Sequence, residues 1–295
     1  MPGAYGVLPA TNRLEQGHMK VVLFCGGLGT RMRGQFQDLP KPLVNVGPNA
    51  LVWNVMRYYA HQGHTDFILC LGYGAAAFTR YFEEMGAEII PTISSGGPCQ
   101  CFRLSDGDNG HWNVTLVDTG VHTSIGQRLR AVRGHIGEED IFLANYADGL
   151  TDLPLQAMID LVVARPEAVG ALVAVHPVHS FHYIRHDADG VVTNIEASVD
   201  IDVRINGGYF VFRREIFDFI EEGDDLVERP FERLIAEAKL LARPHDGFWR
   251  ACDTLKDVQF LSDMQQNGSA PWEVWRKGGD VVAPQAPAAM ISPAA

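Results

Sequence analysis

A chain of 295 residues, 46% hydrophobic and 20% charged, carries enough apolar side chains for one large α/β domain or two small ones. Its formal net charge of −12 argues against broad contact with nucleic-acid phosphates, so any anion it binds must be met by a few locally placed cations. No apolar run approaches the roughly 20 residues of a membrane span.

Residues 1–18 form an N-terminal extension without the basic start and apolar stretch of a signal peptide. Five cysteines cannot all pair, and a reduced, cytoplasmic protein is expected. Residues 20–25 and 66–71 are short apolar runs closed by glycine and read as buried strands. Between them, Leu51, Val55 and Tyr58 give residues 50–61 a helical period, with Asn49 as the expected N-cap. A second helix is expected over 75–85, ended by Gly86.

Residues 91–111 are rich in glycine and polar side chains and read as a loop that contains Cys99 and Cys101. Strands are then expected at 112–117, 140–146, 169–176, 191–196 and 208–212, and helices at 128–133, 153–164, 230–241 and 254–265. Repeated β–α alternation argues for an α/β fold, a Rossmann-like mixed and mostly parallel sheet with helices on both faces. The alanine- and proline-rich residues 280–295 are expected to be a disordered tail.

Ligands of open α/β sheets bind beyond the carboxyl ends of the strands. The segment Gly26, Gly27, Leu28, Gly29, Thr30, Arg31 lies at such an end, and its glycines can turn backbone N–H groups toward an anion. It is neither a P-loop, since Gln35 and Phe36 follow Gly34, nor a dinucleotide fingerprint, since Met32 stands where glycine is needed. Lys41 lies between Pro40 and Pro42, on backbone that neither a regular helix nor a strand interior accepts. A phosphate-facing lysine and a solvated loop lysine both fit that position.

CGGLGTR (25–31) followed by PKPLVNVG (40–47) resembles the signature of the sugar-1-phosphate nucleotidyltransferases. WNVTLVDTG (112–120), GQRL (126–129), ADG (147–149), INGGYF (205–210), GFW (247–249), DTLKD (253–257) and APWEVW (270–275) resemble one subgroup, the glucose-1-phosphate cytidylyltransferases. The resemblance implies a nucleotide-diphospho-sugar transferase fold over residues 19–279. It also implies a reaction between a nucleoside triphosphate, CTP in that subgroup, and a phosphorylated acceptor, and a homo-oligomer. Arg31, Lys41 and Asp148 are then catalytic, and Thr123 and Arg128 line the nucleotide site, with Thr123 where relatives carry serine. Asp148 and Asp253 become ligands of Mg²⁺, an ion that favours oxygen donors. Without the resemblance, Asp253 reads as an N-cap of the last helix.

The acceptor half departs from the family. Where many relatives have Glu-Lys-Pro before the Asn206 motif, this chain has Glu196, Ala197 and Ser198, so the lysine that pairs with the sugar phosphate is missing. A small Phe-Gly-Ala segment is replaced by Phe181, His182 and Tyr183. His182, Tyr183, Glu196, Arg204 and Asn206 are the candidate acceptor contacts, with Arg185 and Arg204 as the substitute cations nearest in sequence. Transfer to glucose 1-phosphate, transfer to another phosphorylated or phosphonate acceptor, and a non-catalytic nucleotide-binding homologue all remain open. His176, His179, His182 and His186 crowd one segment, but Pro177 argues against a helix that would align them for zinc, and a polar pocket wall is the expected role. Trp272 and Trp275 are expected to pack on the domain or on a partner subunit.

Overall fold

In the computed structural model, which describes residues 18–27, 39–92, 96–105, 110–177, 182–197 and 203–278, the first apolar run forms strand β1 (Lys20–Phe24). Its side chains alternate between two cores. Val21 and Leu23 join one with Val55 and Tyr59, and Val22 and Phe24 join the other with Ile136 and Phe212. A strand apolar on both faces must be covered on both, and this fixes the helix–sheet–helix layering. The expected tail and residues 28–31 lie outside the described residues, as does all of the N-terminal extension but His18.

After β1 come the short strands β2 (Asn45–Val46) and β3 (Asn49–Ala50), helix α1 (Leu51–His61), β4 (Asp66–Leu71) and α2 (Ala75–Glu84). Next are β5 (Glu88–Ile90), β6 (Gln100–Ser105), β7 (His111–Asp118), α3 (Ile125–Ala131) and α4 (Arg133–Ile136). The chain continues through β8 (Ile141–Asn145), β9 (Gly149–Thr151), α5 (Leu155–Val163) and β10 (Gly170–Val175). It then forms β11 (His182–His186), β12 (Val192–Ala197) and β13 (Ile205–Arg213). The last elements are α6 (Arg229–Ala236), β14 (Leu240–His245), β15 (Trp249–Ala251) and α7 (Leu255–Gln266).

Nine strands make one sheet in the order β14-β10-β13-β8-β1-β4-β7-β6-β5. The four central strands β8, β1, β4 and β7 are parallel, and antiparallel pairings extend the sheet on each side. From β1 the chain moves to β4 on one side and later returns to β8 on the other. The crevice beyond the carboxyl ends of β1 and β8 is therefore the topological switch point, where ligands of such sheets bind.

Four expectations need correction. The segment read as a loop over 91–111 contains strand β6, in which Cys101, Phe102 and Leu104 are buried and Arg103 is exposed; its glycine- and polar-rich flanks hide this short pattern. Helix α6 ends at Ala236, and Leu240 and Leu241 enter a strand parallel to β10. Asn49 does not cap α1; it pairs with Val46, and Ala50 occupies the cap with no side-chain bond. Of the two cysteines expected in the 91–111 loop, Cys99 stays in it but Cys101 lies within β6; their thiols stand 3.7 Å apart, unpaired as expected. Trp272 is buried against Phe248 and Trp275 meets Trp53 edge-on, so both pack on the domain. Among the described residues no helix is long and apolar enough to cross a membrane.

Candidate active site

Lys41 opens a single 3-10 turn in which Leu43 and Val44 donate backbone N–H groups to the carbonyls of Pro40 and Lys41. Pro40 and Pro42 are buried, and a Cβ on Gly74 would meet the Pro40 ring at 2.5 Å, so the turn is wedged against the start of α2. The backbone under Lys41 is rigid, and its side chain reaches across to two carboxylates. Nζ donates to Asp253 Oδ1 at 2.6 Å and to Asp148 Oδ2 at 2.9 Å. Burial alone would favour the neutral amine, but the two carboxylates outweigh it and raise the lysine pKa above its ordinary value.

Asp148 and Asp253 are separated by more than a hundred residues, and the sheet brings them together. Strand β15 pairs antiparallel to β9 with Ala251 opposite Gly149, and Cys252 N–H donates to the Asp148 carbonyl at 2.7 Å. Continuing that ladder outward sets Asp253 beside Asp148. The N-cap expected of Asp253 belongs to its neighbour instead: Thr254 caps α7 in a reciprocal capping box with Asp257. Arg250 adds two bonds to buried Asp257. Burial pushes the Asp257 carboxyl upward, but these partners hold it below the usual range. The capping box is made by Thr254 and Asp257, and the Asp253 side chain is turned to the lysine. Ala147, directly before Asp148, has a φ of +59°, a left-handed conformation that costs a residue with a Cβ about 1 kcal/mol. Glycine would adopt it without strain.

The start of the glycine segment rests on Arg128. The residue is 2% exposed, and its guanidinium donates from Nη1 to the Leu71 carbonyl (2.8 Å) and Thr119 Oγ1 (2.6 Å). From Nη2 it donates to the carbonyls of Gly26 (3.0 Å) and Val121 (3.3 Å). Gly26, Leu71 and Thr119 follow or end β1, β4 and β7, so one side chain ties together the carboxyl ends of three adjacent parallel strands. Glycine at position 26 is required for this, since a Cβ there would lie 2.0 Å from Nη1. Thr123 is nearby in the same loop, its hydroxyl donating to the Thr119 carbonyl at 2.6 Å. Of the expected nucleotide-site residues, Gly26, Gly27, Thr123 and Arg128 are described; Leu28, Gly29, Thr30 and Arg31 are not.

On the acceptor side, Asn206 donates to the Tyr146 hydroxyl at 3.2 Å and accepts from Gly208 N–H at 2.9 Å. Trp249 Nε1 donates to the Gly207 carbonyl, and the Tyr209 hydroxyl donates to the Gly149 carbonyl, so this irregular start of β13 is bonded to the strand that leaves Asp148. Tyr146 and Trp249 were not singled out from the sequence; Trp249 lies in the GFW match and Tyr146 directly precedes the ADG match. The other candidates make contacts of their own. Tyr183 faces Glu196 across the β11–β12 ribbon and is exposed, and Arg185 lies 3.6 Å from Glu196. Arg204 pairs instead with Asp246 at 2.7 Å, beside the ends of β10 and β14.

A cavity of about 280 Å³ is lined there by His176, His245, Asp246 and Trp249. Of the described histidines in the 176–186 segment, His176 meets Asp246 at 3.4 Å, while His186 turns back to the Asp187 carbonyl. His179 and the side chain of His182 lie outside the described residues. A second cavity, about 330 Å³, opens by Lys20, Asp66 and Asn113 at the opposite, amino ends of β1, β4 and β7. We assign chemistry to the carboxyl ends because the convergent charges stand there.

Asp148 and Asp253 already converge on one cation, and a pair of carboxylate oxygens is a donor set that suits Mg²⁺. The residues present therefore fit the metal that the family resemblance implies.

Residues 20–258 match the nucleotidyl transferase family. A glucose-1-phosphate cytidylyltransferase of Salmonella typhi is 33% identical over 262 residues, covering 87% of this chain and 100% of that one. Among solved structures, a UTP-bound UGPase from Acinetobacter baumannii gives a TM-score of 0.59 at 15% identity, covering 84% of this chain and 93% of its own. HddC from Yersinia pseudotuberculosis gives 0.58 at 17%, covering 84% and 99%. At such identities the solved structures speak for the fold alone. The sequence match runs through β1, Lys41, Asp148 and Asp253 alike, and on that ground the chain belongs to the nucleotidyl transferase family.

Proposed function

We propose that this nucleotidyltransferase moves a cytidylyl group from CTP to the phosphate of a sugar 1-phosphate or a related acceptor, with release of pyrophosphate. The observation that carries this reading is the convergence of Lys41, Asp148 and Asp253 at the switch point of the sheet. An acceptor phosphate oxygen attacks the α-phosphorus, the bond to the bridging oxygen of the β-phosphate breaks, and pyrophosphate leaves. The protein's part is alignment and charge neutralisation. Gly26 and Gly27 begin the glycine segment whose N–H groups would meet the triphosphate, and Arg128 holds Gly26 to the strand ends. Lys41 and Arg31 offset charge as pyrophosphate separates. Mg²⁺, held by Asp148 and Asp253, would supply further neutralisation of phosphate charge.

The acceptor is the open half of the reading. Ala197 replaces the family's lysine, Arg204 is engaged by Asp246 and Arg185 by Glu196. These observations favour an acceptor other than glucose 1-phosphate, gripped by rearranged arginines or by the start of β13 at Asn206. Exposed Ile184 and Ile195, paired across the ribbon, support self-association, which light scattering measures. Pyrophosphate release with each of four nucleoside triphosphates against a panel of phosphorylated and phosphonate acceptors tests the whole proposal. Absence of release with every pair would overturn it in favour of a non-catalytic nucleotide-binding protein.

A further inference from the structure

Lys41 is expected to meet phosphate, yet its ammonium lies on the two carboxylates assigned to the metal. The side chain is 14% exposed, and its hydrogen bonds to Asp253 (2.6 Å) and Asp148 (2.9 Å) have the lengths of charge-assisted pairs. A Mg²⁺ ion sits about 2.0–2.1 Å from its oxygen ligands. An ion bound through Asp148 Oδ2 and Asp253 Oδ1 would occupy the space Nζ holds, and two cations cannot share it. The 3-10 turn between buried Pro40 and Pro42 is fixed, so the exchange falls to the four-carbon side chain, which can swing while its Cα stays in place.

We propose that Lys41 is the resident counter-cation of the Asp148–Asp253 pair, and that a divalent cation enters only by displacing its ammonium toward the nucleotide phosphates. Metal entry and delivery of the lysine are then one exchange. The inference rests on the metal assignment made above. It has a direct consequence for order and synergy. Without triphosphate, a displaced Lys41 leaves good ionic partners and gains none in return, so the cation binds weakly. With triphosphate present, the phosphates receive the lysine, and each ligand strengthens the other by the same factor.

The test is binding of Mn²⁺ to the nucleotide-free full chain, read by electron paramagnetic resonance of the free ion. Lys41→Met should bind one Mn²⁺ at least tenfold more tightly than the wild type, and Lys41→Met combined with Asp253→Asn should lose that gain. Equal affinity in the wild type and Lys41→Met overturns the exchange, even if pyrophosphate release proves metal-dependent. No Mn²⁺ binding by folded Lys41→Met overturns it too. If Asp148→Ala and Asp253→Ala then kept their turnover, the metal assignment itself would fall. Circular dichroism confirms folding of each variant. A measurement on the wild type avoids substitution altogether: an amine-reactive ester should acylate Lys41 at least threefold faster at saturating Mn²⁺, as read by mass spectrometry of its peptide. An unchanged rate would mean that the lysine stays on the carboxylates.

Discussion

Gly26→Ala is a one-carbon change at the edge of the site, and the structure makes it costly through a residue over a hundred positions away. The new Cβ would lie 2.0, 2.3 and 2.7 Å from Nη1, Cζ and Nη2 of Arg128. Ordinary contact needs about 3.4 Å or more, so the guanidinium must shift by over an ångström, and its bonds to the Gly26 and Leu71 carbonyls cannot survive. Hydrogen bonds to a charged group are worth about 1.5–3 kcal/mol each. Removing a partner from a buried charge costs about 3–5 kcal/mol. Because the side chain can swing outward and regain some water, we place the loss at the lower end, about 3 kcal/mol.

Urea unfolding of the wild type, Gly26→Ala, Arg128→Ala and the double variant measures this as a cycle. In the Arg128→Ala background the new methyl meets no guanidinium, and Gly26→Ala should cost under about 0.5 kcal/mol, a coupling of roughly 2.5 kcal/mol. The same pair should be coupled in kcat/KM, since both act on the position of one turn. If the two substitutions were additive in stability and in kcat/KM, Arg128 would not be the support of the glycine turn.

Asp253→Ala and Asp148→Ala should each cut pyrophosphate release by about a thousandfold or more. Because Thr254 and Asp257 cap α7, Asp253→Ala should keep stability within about 1 kcal/mol, and near-normal turnover would remove it from the site. His64 is 5% exposed, and burial, with a smaller push from His18, lowers its pKa from 6.5 to about 4. Between those values the unfolded chain binds a proton that the folded chain refuses, so stability falls as pH falls. The loss attributable to His64 is about 3 kcal/mol from pH 7 to 4. His64→Gln should lose that much less over the same interval in urea titrations, and parallel curves for the two proteins would contradict the assignment. Glucose 1-phosphate should be a poor acceptor, with kcat/KM below roughly 10⁴ M⁻¹s⁻¹. Ala197→Lys alone should not restore it, because the changes at His182 and Tyr183 remain; efficient turnover by the unmodified protein would return it to the activity of its relatives.

The sequence by itself determined the elements whose signal is local. The buried strands β1, β4 and β8 show as apolar runs, the turn at Lys41 shows as a lysine between two prolines, and the need for glycine at position 26 shows in the motif, though not its cause. It also marked Lys41, Asp148 and Asp253 through resemblance. What those residues touch was decided by tertiary structure. Lys41 turns to two carboxylates because the β9–β15 ladder delivers Asp253 to Asp148, a pairing set by register between segments about a hundred residues apart. Asp253 and Thr254 compete for one cap, and only the capping box with Asp257, anchored by Arg250, decides for Thr254. Arg128 looks like a nucleotide contact along the chain, but its four terminal hydrogen bonds go to oxygens at the ends of β1 and β4 and in the loop after β7. Strand β6, and strand β14 where the end of a helix was expected, were hidden for the complementary reason. Their apolar patterns are brief, and neighbouring strands in the sheet, rather than local propensity, choose their conformation.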